Sequence, residues 1–177
     1  MIDQQTGEFA SLVESMAVAG SQPDSEALGR VAKTLAKLFD ADPDEAAILK
    51  IDSKSKNLRF VIPEKLAVVG AIPLTSATAL AARTARERRA EVVNNFNVSR
   101  HATVFEGVPL GRRQGEMIHK IMSAPIAEGT QALGVVQISR KGHSSSNAGP
   151  DFTQKDLRLL TSLSPILARF LKLCVTV

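Results

Sequence analysis

Apolar positions along the chain switch between a helical period and a strand period. Phe9, Leu12, Val13 and Met16 fall at helical spacing, and Gly20-Ser-Gln-Pro23 interrupts the pattern, so a short first helix is expected. A second helix begins near Asp24 and carries Leu28, Val31, Ala32, Leu35, Leu38 and Phe39 on one face, ending before the turn-rich Asp40-Ala-Asp-Pro-Asp44. Ala46 to Asp52 and Asn57 to Ile62 are strand-like runs joined by Ser53-Lys-Ser-Lys56, which predicts a hairpin. Thr75 and Ser76 are candidate caps for a helix over Ala77 to Arg88, rich in alanine and arginine. Glu91-Val-Val-Asn-Asn-Phe96 then has the β-branched content of a strand end.

Residues 97 to 116 show no period. Beyond them come an apolar strand from His119 to Ile126 and a second from Ala132 to Lys141, followed by Gly142-His-Ser-Ser-Ser-Asn-Ala-Gly-Pro150, which reads as a flexible connector without chemistry. Thr153 and Asp156 form a capping box with the shorter Asp in place of Glu, and Phe152 is placed to pack back on Leu157. In the final helix Lys155, Arg158, Ser162, Pro165, Arg169 and Lys172 make one polar stripe, and nearly everything else is apolar. Such a helix must be covered on more than one side, by the first helix, a second subunit or both. Interior Pro165 is expected to kink it at a cost of ~3 kcal/mol.

The chain has 177 residues, 44% apolar and 23% charged, which fits one globular domain with a substantial core. The expected division is an N-terminal helix and connector over 1–22, one domain over 23–173 and a tail over 174–177. The N-terminus lacks the basic-then-apolar order of a secretory signal, and no apolar run approaches the ~18 residues of a membrane span. A cytoplasmic protein without membrane contact is expected. Cys174 is the single cysteine, and no Cys/His spacing suits a metal, so neither a disulfide nor a metal site is expected.

The net charge of +4 is uneven: residues 1 to 48 hold nine acids against Arg30, Lys33 and Lys37, a balance of −6 that leaves +10 for the rest. Arg83, Arg86, Arg88 and Arg89 are the densest basic run. A charge run of this kind either solvates a face or attracts an anion. Nucleic acid is not the expected partner, because the chain has no Trp or Tyr for base stacking and no reading helix.

The order of the strand end Ala124-Pro-Ile126, the strand Gly134-Val-Val-Gln-Ile-Ser-Arg-Lys141 and the helix start Phe152-Thr-x-x-Asp-x-x-x-Leu160 resembles the C-terminal half of a GAF domain. A helix, a basic turn and a Val-Val-polar strand end in the middle region extend the resemblance to roughly residues 25 to 172. It implies an α/β (α+β) fold with a central antiparallel sheet of five or six strands flanked by helices on both faces. The first, second and last helices would share one face, and the middle helix and long loop the other. GAF domains are sensory and dimerisation modules, and in them the segment matching 97 to 116 commonly covers a ligand pocket; a loop docked only by Phe105 is the other reading.

Alternation along the two C-terminal strands sets Val136 and Ile138 against Val135, Gln137 and Ser139, and Ile118, Met122 and Ala124 against His119, Ile121 and Ser123. The more polar set is expected to face the pocket. His119, Ser123, Gln137 and Ser139 would then line it with Asn94 from the middle strand and Phe105, Arg112 and Arg113 from the loop. The arginines around this region suit carboxylate or phosphate, so a small anionic ligand is expected, with solvent as the other destination for those side chains.

No Gly-x-Ser-x-Gly elbow, phosphate loop or His-Glu-x-x-His motif is present. The GAF family includes the free methionine sulfoxide reductase, which works through pocket cysteines that this chain lacks, so no enzyme activity is expected. The phosphodiesterase nucleotide signature and the bilin-attachment cysteine are also missing. The sequence names no cofactor, and His119 is the one candidate axial ligand for haem. The expected function is a non-enzymatic signalling module that binds a small ligand and forms a homodimer through its terminal helices. The alternative is an interaction-only dimeriser whose pocket is filled by its own side chains.

Overall fold

The computed structural model of the chain describes residues 2–96 and 116–174. Helix α1 (Ile2–Ala19) outruns its apolar stripe and stops at Gly20, whose φ of +70° lets its N–H turn back to the Met16 and Ala17 carbonyls. Helix α2 (Ser25–Lys37) is capped by Asp24, which accepts from the Ala27 N–H at 2.8 Å. Strands β1 (Ala46–Asp52) and β2 (Asn57–Ile62) form the predicted hairpin, with Asp52 opposite Asn57.

The sequence pattern does not predict the short strand β3 (Ala71–Pro73), since three residues ending in proline show no alternation. Helix α3 (Leu80–Glu87) begins three residues later than predicted, because Ser76 Oγ accepts from the Ala79 N–H and holds the segment before it as a turn. Strand β4 (Glu91–Val93) follows, then the long pair β5 (Met117–Glu128) and β6 (Gln131–Gly142), which pair antiparallel as far as Glu128 opposite Gln131. The connector after β6 is tied down: Ser144 organises a turn with Ser146 and Asn147, Lys120 Nζ donates to the Gly149 carbonyl, and Arg140 donates to Pro150. The expectation of a flexible linker is corrected accordingly.

The expected single last helix is two, α4 (Gln154–Ser162) and α5 (Ser164–Leu173), broken at Leu163 where ψ is −7°. Both halves of the Thr153/Asp156 capping box are present. Pro165 lies in the first turn of α5, where no backbone N–H is required, so the predicted kink penalty does not arise.

The six described strands form one antiparallel sheet in the order β3-β2-β1-β6-β5-β4. Helices α1, α2, α4 and α5 cover one face, where Ile48, Met122, Val136 and Ile138 join Phe9, Leu35, Leu167 and Phe170 in the main core. Helix α3 covers the other, over Leu49, Leu58, Phe60, Ile72 and Val135. The apolar arc of α5 is thus covered within the chain, by β5, β6 and α1, and Glu14 of α1 meets Arg169 at 2.8 Å over the outside. Leu167 is fully buried in that core and is not an exposed interface residue. The carbonyls at the end of α5 receive Lys50 Nζ, which reaches Leu171 and Cys174 from β1. Where β5 runs past β4, Ser164 accepts from the Ala127 N–H at 3.1 Å.

Candidate functional site

Register and alternation bring three of the expected residues to one place. Ser123 of β5 lies directly opposite Gln137 of β6, and both face α3. Thr84, one turn beyond Leu80 on the buried side of α3, meets Ser123 with 2.7 Å between hydroxyl oxygens. Gln137 Nε2 donates to Ser123 Oγ at 3.2 Å. Two residues along β6, Ser139 Oγ donates to the Glu45 carbonyl at 3.3 Å.

Gln137 and Ser139 open into a cleft whose apolar walls are Ala47, Phe60, Pro63, Leu66, Ile118 and Ile121, with Asp44, Glu45 and Lys141 at one end. Its volume is about 40 Å³. Ser123 and Thr84 stand behind the lining, nearly inaccessible to solvent. An unsatisfied buried polar group costs about 1–3 kcal/mol, so the hydrogen bonds among these side chains are what make the polar row tolerable under a helix.

The charged end is organised by the 3-10 turn Pro43–Glu45. Glu45 accepts from the backbone N–H of Asp42 at 3.0 Å and of Lys141 at 2.6 Å, tying this turn to the end of β6. Burial pushes the Glu45 carboxyl up to about 7; the Lys141 N–H opposes that shift and the Asp44 carboxylate adds to it. Burial also raises Asp44, against the attraction of Lys141. Cys174 belongs to the helical face, away from the cleft, and burial holds its thiol at about 11, so it is protonated at neutral pH.

Two of the other expected residues, Asn94 and His119, are engaged elsewhere. Asn94 is bound to the backbone of Phe152, donating to its carbonyl at 3.0 Å and accepting from its N–H at 2.9 Å. His119 sits at a register irregularity between Ile118 and Lys120, which returns Ile118 to the cleft face and leaves the imidazole Nε2 2.9 Å from the Gly142 carbonyl. Phe105, Arg112 and Arg113 lie outside the described residues. The Arg83 to Arg89 run serves the structure: Arg83 pairs with Glu91 at 2.8 Å, Arg86 donates to the Leu74 and Ser76 carbonyls, Arg88 to Thr130, and Arg89 pairs with Glu87. These arginines do not concentrate charge on the cleft. Thr84 and Glu45 were missed, although Thr84 falls on the buried period of α3 and Asp42-Pro-Asp-Glu45 has capping-box spacing. Among the described residues no cluster of His, Cys, Asp and Glu is placed to hold a metal ion, and no helix is long and apolar enough to cross a membrane.

The family model for the GAF domain matches residues 21–172. Among solved structures, the chain is similar to the GAF domain of an Acinetobacter phosphoenolpyruvate-protein phosphotransferase, at 17% identity over 97% of this chain and 95% of that one, with a TM-score of 0.63. It is also similar to the free methionine-R-sulfoxide reductase of Neisseria meningitidis in complex with its substrate (16%, 98% and 89%, TM-score 0.61). A third similar structure is the A. aeolicus nlh2 GAF domain in an inactive state (14%, 98% and 99%, TM-score 0.56). No curated protein sequence matches. The reductase corrects the expectation that the chain is not an enzyme: an enzyme is built on this same architecture, so missing hydrolase, phosphate-loop and metalloprotease motifs do not exclude catalysis.

Proposed function

Because the chain belongs to the GAF domain family, whose model spans residues 21–172, we propose that it is a sensory module that binds the end group of a small molecule in the cleft lined by Gln137 and Ser139. The supporting observation is the polar row of Gln137 and Ser139, almost wholly buried yet lining a cleft with apolar walls. Apolar residues of the same shape would pack this face of the sheet without desolvating an amide and a hydroxyl, so stability alone does not call for the row. Specific small-molecule sites have this composition, mostly apolar with a few placed polar groups.

Native mass spectrometry of the purified chain, followed by thermal shift with any retained molecule, tests the reading. A ligand of this cleft stabilises the wild type by mass action and loses that effect in Gln137→Leu. A retained molecule that stabilises Gln137→Leu and Ser139→Ala as well as the wild type would place its site elsewhere.

The cleft volume of about 40 Å³, against roughly 300 Å³ or more for sites that enclose a whole ligand, favours a second reading. In it the family fold acts by interaction alone, including self-association through the terminal helices. Light scattering at twice the 18.9 kDa chain mass, with no ligand found, is its signature.

A further inference from the structure

The hydrogen-bond chain behind the cleft determines which chemical groups the cleft accepts, an inference that rests on the ligand-binding reading above. Thr84 Oγ1 lies 2.9 Å from the Leu80 carbonyl oxygen, which has no proton, so Thr84 is the donor there. Its single proton is then spent. The 2.7 Å contact between Thr84 and Ser123 must therefore be made by the Ser123 proton. Ser123, having given its proton away, can only accept at its 3.2 Å contact with Gln137, so the Gln137 atom at that contact must be the amide nitrogen. The amide orientation, which electron density seldom distinguishes, is fixed here by proton count alone.

With Nε2 turned back to Ser123, the Gln137 group left for an occupant of the cleft is Oε1 with its two lone pairs. Ser139 reaches the same result by another route. Its proton goes to the Glu45 carbonyl, so its oxygen also meets an occupant as an acceptor. Against these acceptor positions the pair retains one amide N–H of Gln137.

We infer that the cleft recognises its ligand through a hydrogen-bond donor, an amide N–H, an amine or an ammonium group, and discriminates against carboxylate and phosphate. Thr84 and Ser123 are positioning residues: neither lines the cleft, and both act by holding the Gln137 amide one way round. The anionic ligand expected from the arginine content is replaced by a donor-bearing one.

Acetamide and acetate have nearly the same shape and differ in the property at issue, so titration of the ¹⁵N-labelled full chain with each, and with methylammonium, is the test. Acetamide and methylammonium should shift the Gln137 side-chain NH₂ and the backbone amides of Gln137 and Ser139, with acetate at least about tenfold weaker. In Thr84→Val the Ser123 proton is released to Gln137 Oε1, the amide turns, and the preference for acetamide should fall to parity or invert. Ser123→Ala, which removes the acceptor that holds Nε2, should give the same loss and serves if Thr84→Val does not fold. Tighter binding of acetate to the wild type at these residues, or an unchanged preference in both variants, would overturn the inference and leave the ligand-binding reading standing. No shift at Gln137 or Ser139 with any of the three probes would overturn both.

Discussion

Glu45 should make the fold less stable as the pH rises. Its carboxyl is raised from 4.5 to about 7 by burial, so between those values the native state holds a proton that the unfolded chain has released. An acid in that position favours folding most below the window, and its contribution is lost as the pH climbs through it. Taking 4.5 and about 7 as the two limits, the change from pH 5 to pH 8 comes to as much as about 3 kcal/mol. The perturbation that isolates it is Glu45→Gln, which keeps the shape and an acceptor for one of the two backbone N–H groups but cannot ionise. Other titrating groups, Asp44 among them, are common to both chains and largely cancel in the difference. Urea unfolding of both chains at pH 5, 6, 7 and 8 should show the wild type losing stability relative to the variant across the series. A difference that stays constant, or that grows in favour of the wild type with rising pH, would mean that the two N–H donors and Lys141 outweigh burial and that the carboxylate is at home in its site.

Two further outcomes follow from the geometry. A Cβ at Gly134 would lie 2.1 Å from the Leu49 carbonyl oxygen and 2.7 Å from Leu171 Cδ1; Gly134→Ala should therefore cost about 3 kcal/mol or more in urea unfolding, or prevent folding, because the obstacle is backbone of the paired strand. Asn94→Ala strands both the N–H and the carbonyl of Phe152, and should lower stability by about 2 kcal/mol in the same assay while leaving probe binding at Gln137 unchanged.

What could be read from the sequence follows the range of the forces involved. Local signals held: the β1–β2 hairpin ends where the strand pattern ends, Asp24 caps α2, and the box at Thr153 starts α4. Alternation also put Ser123, Gln137 and Ser139 on one face, opposite Val136 and Ile138. It failed at His119, where one irregularity in pairing shifts the parity of the strand before it, and nothing in the local sequence marks that place. Partners remote in the chain were invisible. Its place on the middle strand suggests the pocket for Asn94, yet its amide belongs to Phe152, 58 residues away. Arginine density suggests a solvated face or an anion-attracting field, whereas Arg83, Arg86 and Arg88 each have a fixed acceptor. The apolar period runs unbroken through Leu163 and so predicts one last helix, because periodicity cannot sense a single residue whose ψ approaches zero.

The two outermost strands, β3 and β4, are three residues each, and β3 ends in Pro73. An open strand edge is a template on which another chain can add itself, and short, proline-ended edges remove it. The longest hairpin is guarded in the same way: beyond β4 its outer strand gives the Ala127 N–H to Ser164, and near its start the His119 carbonyl takes the N–H of Phe96. Backbone-mediated aggregation, the common hazard of a six-stranded sheet, is therefore blunted at both rims. Among the described residues, what the sheet offers to another copy of this domain, whether in a regulatory assembly or in a concentrated solution, is therefore side chains rather than open backbone.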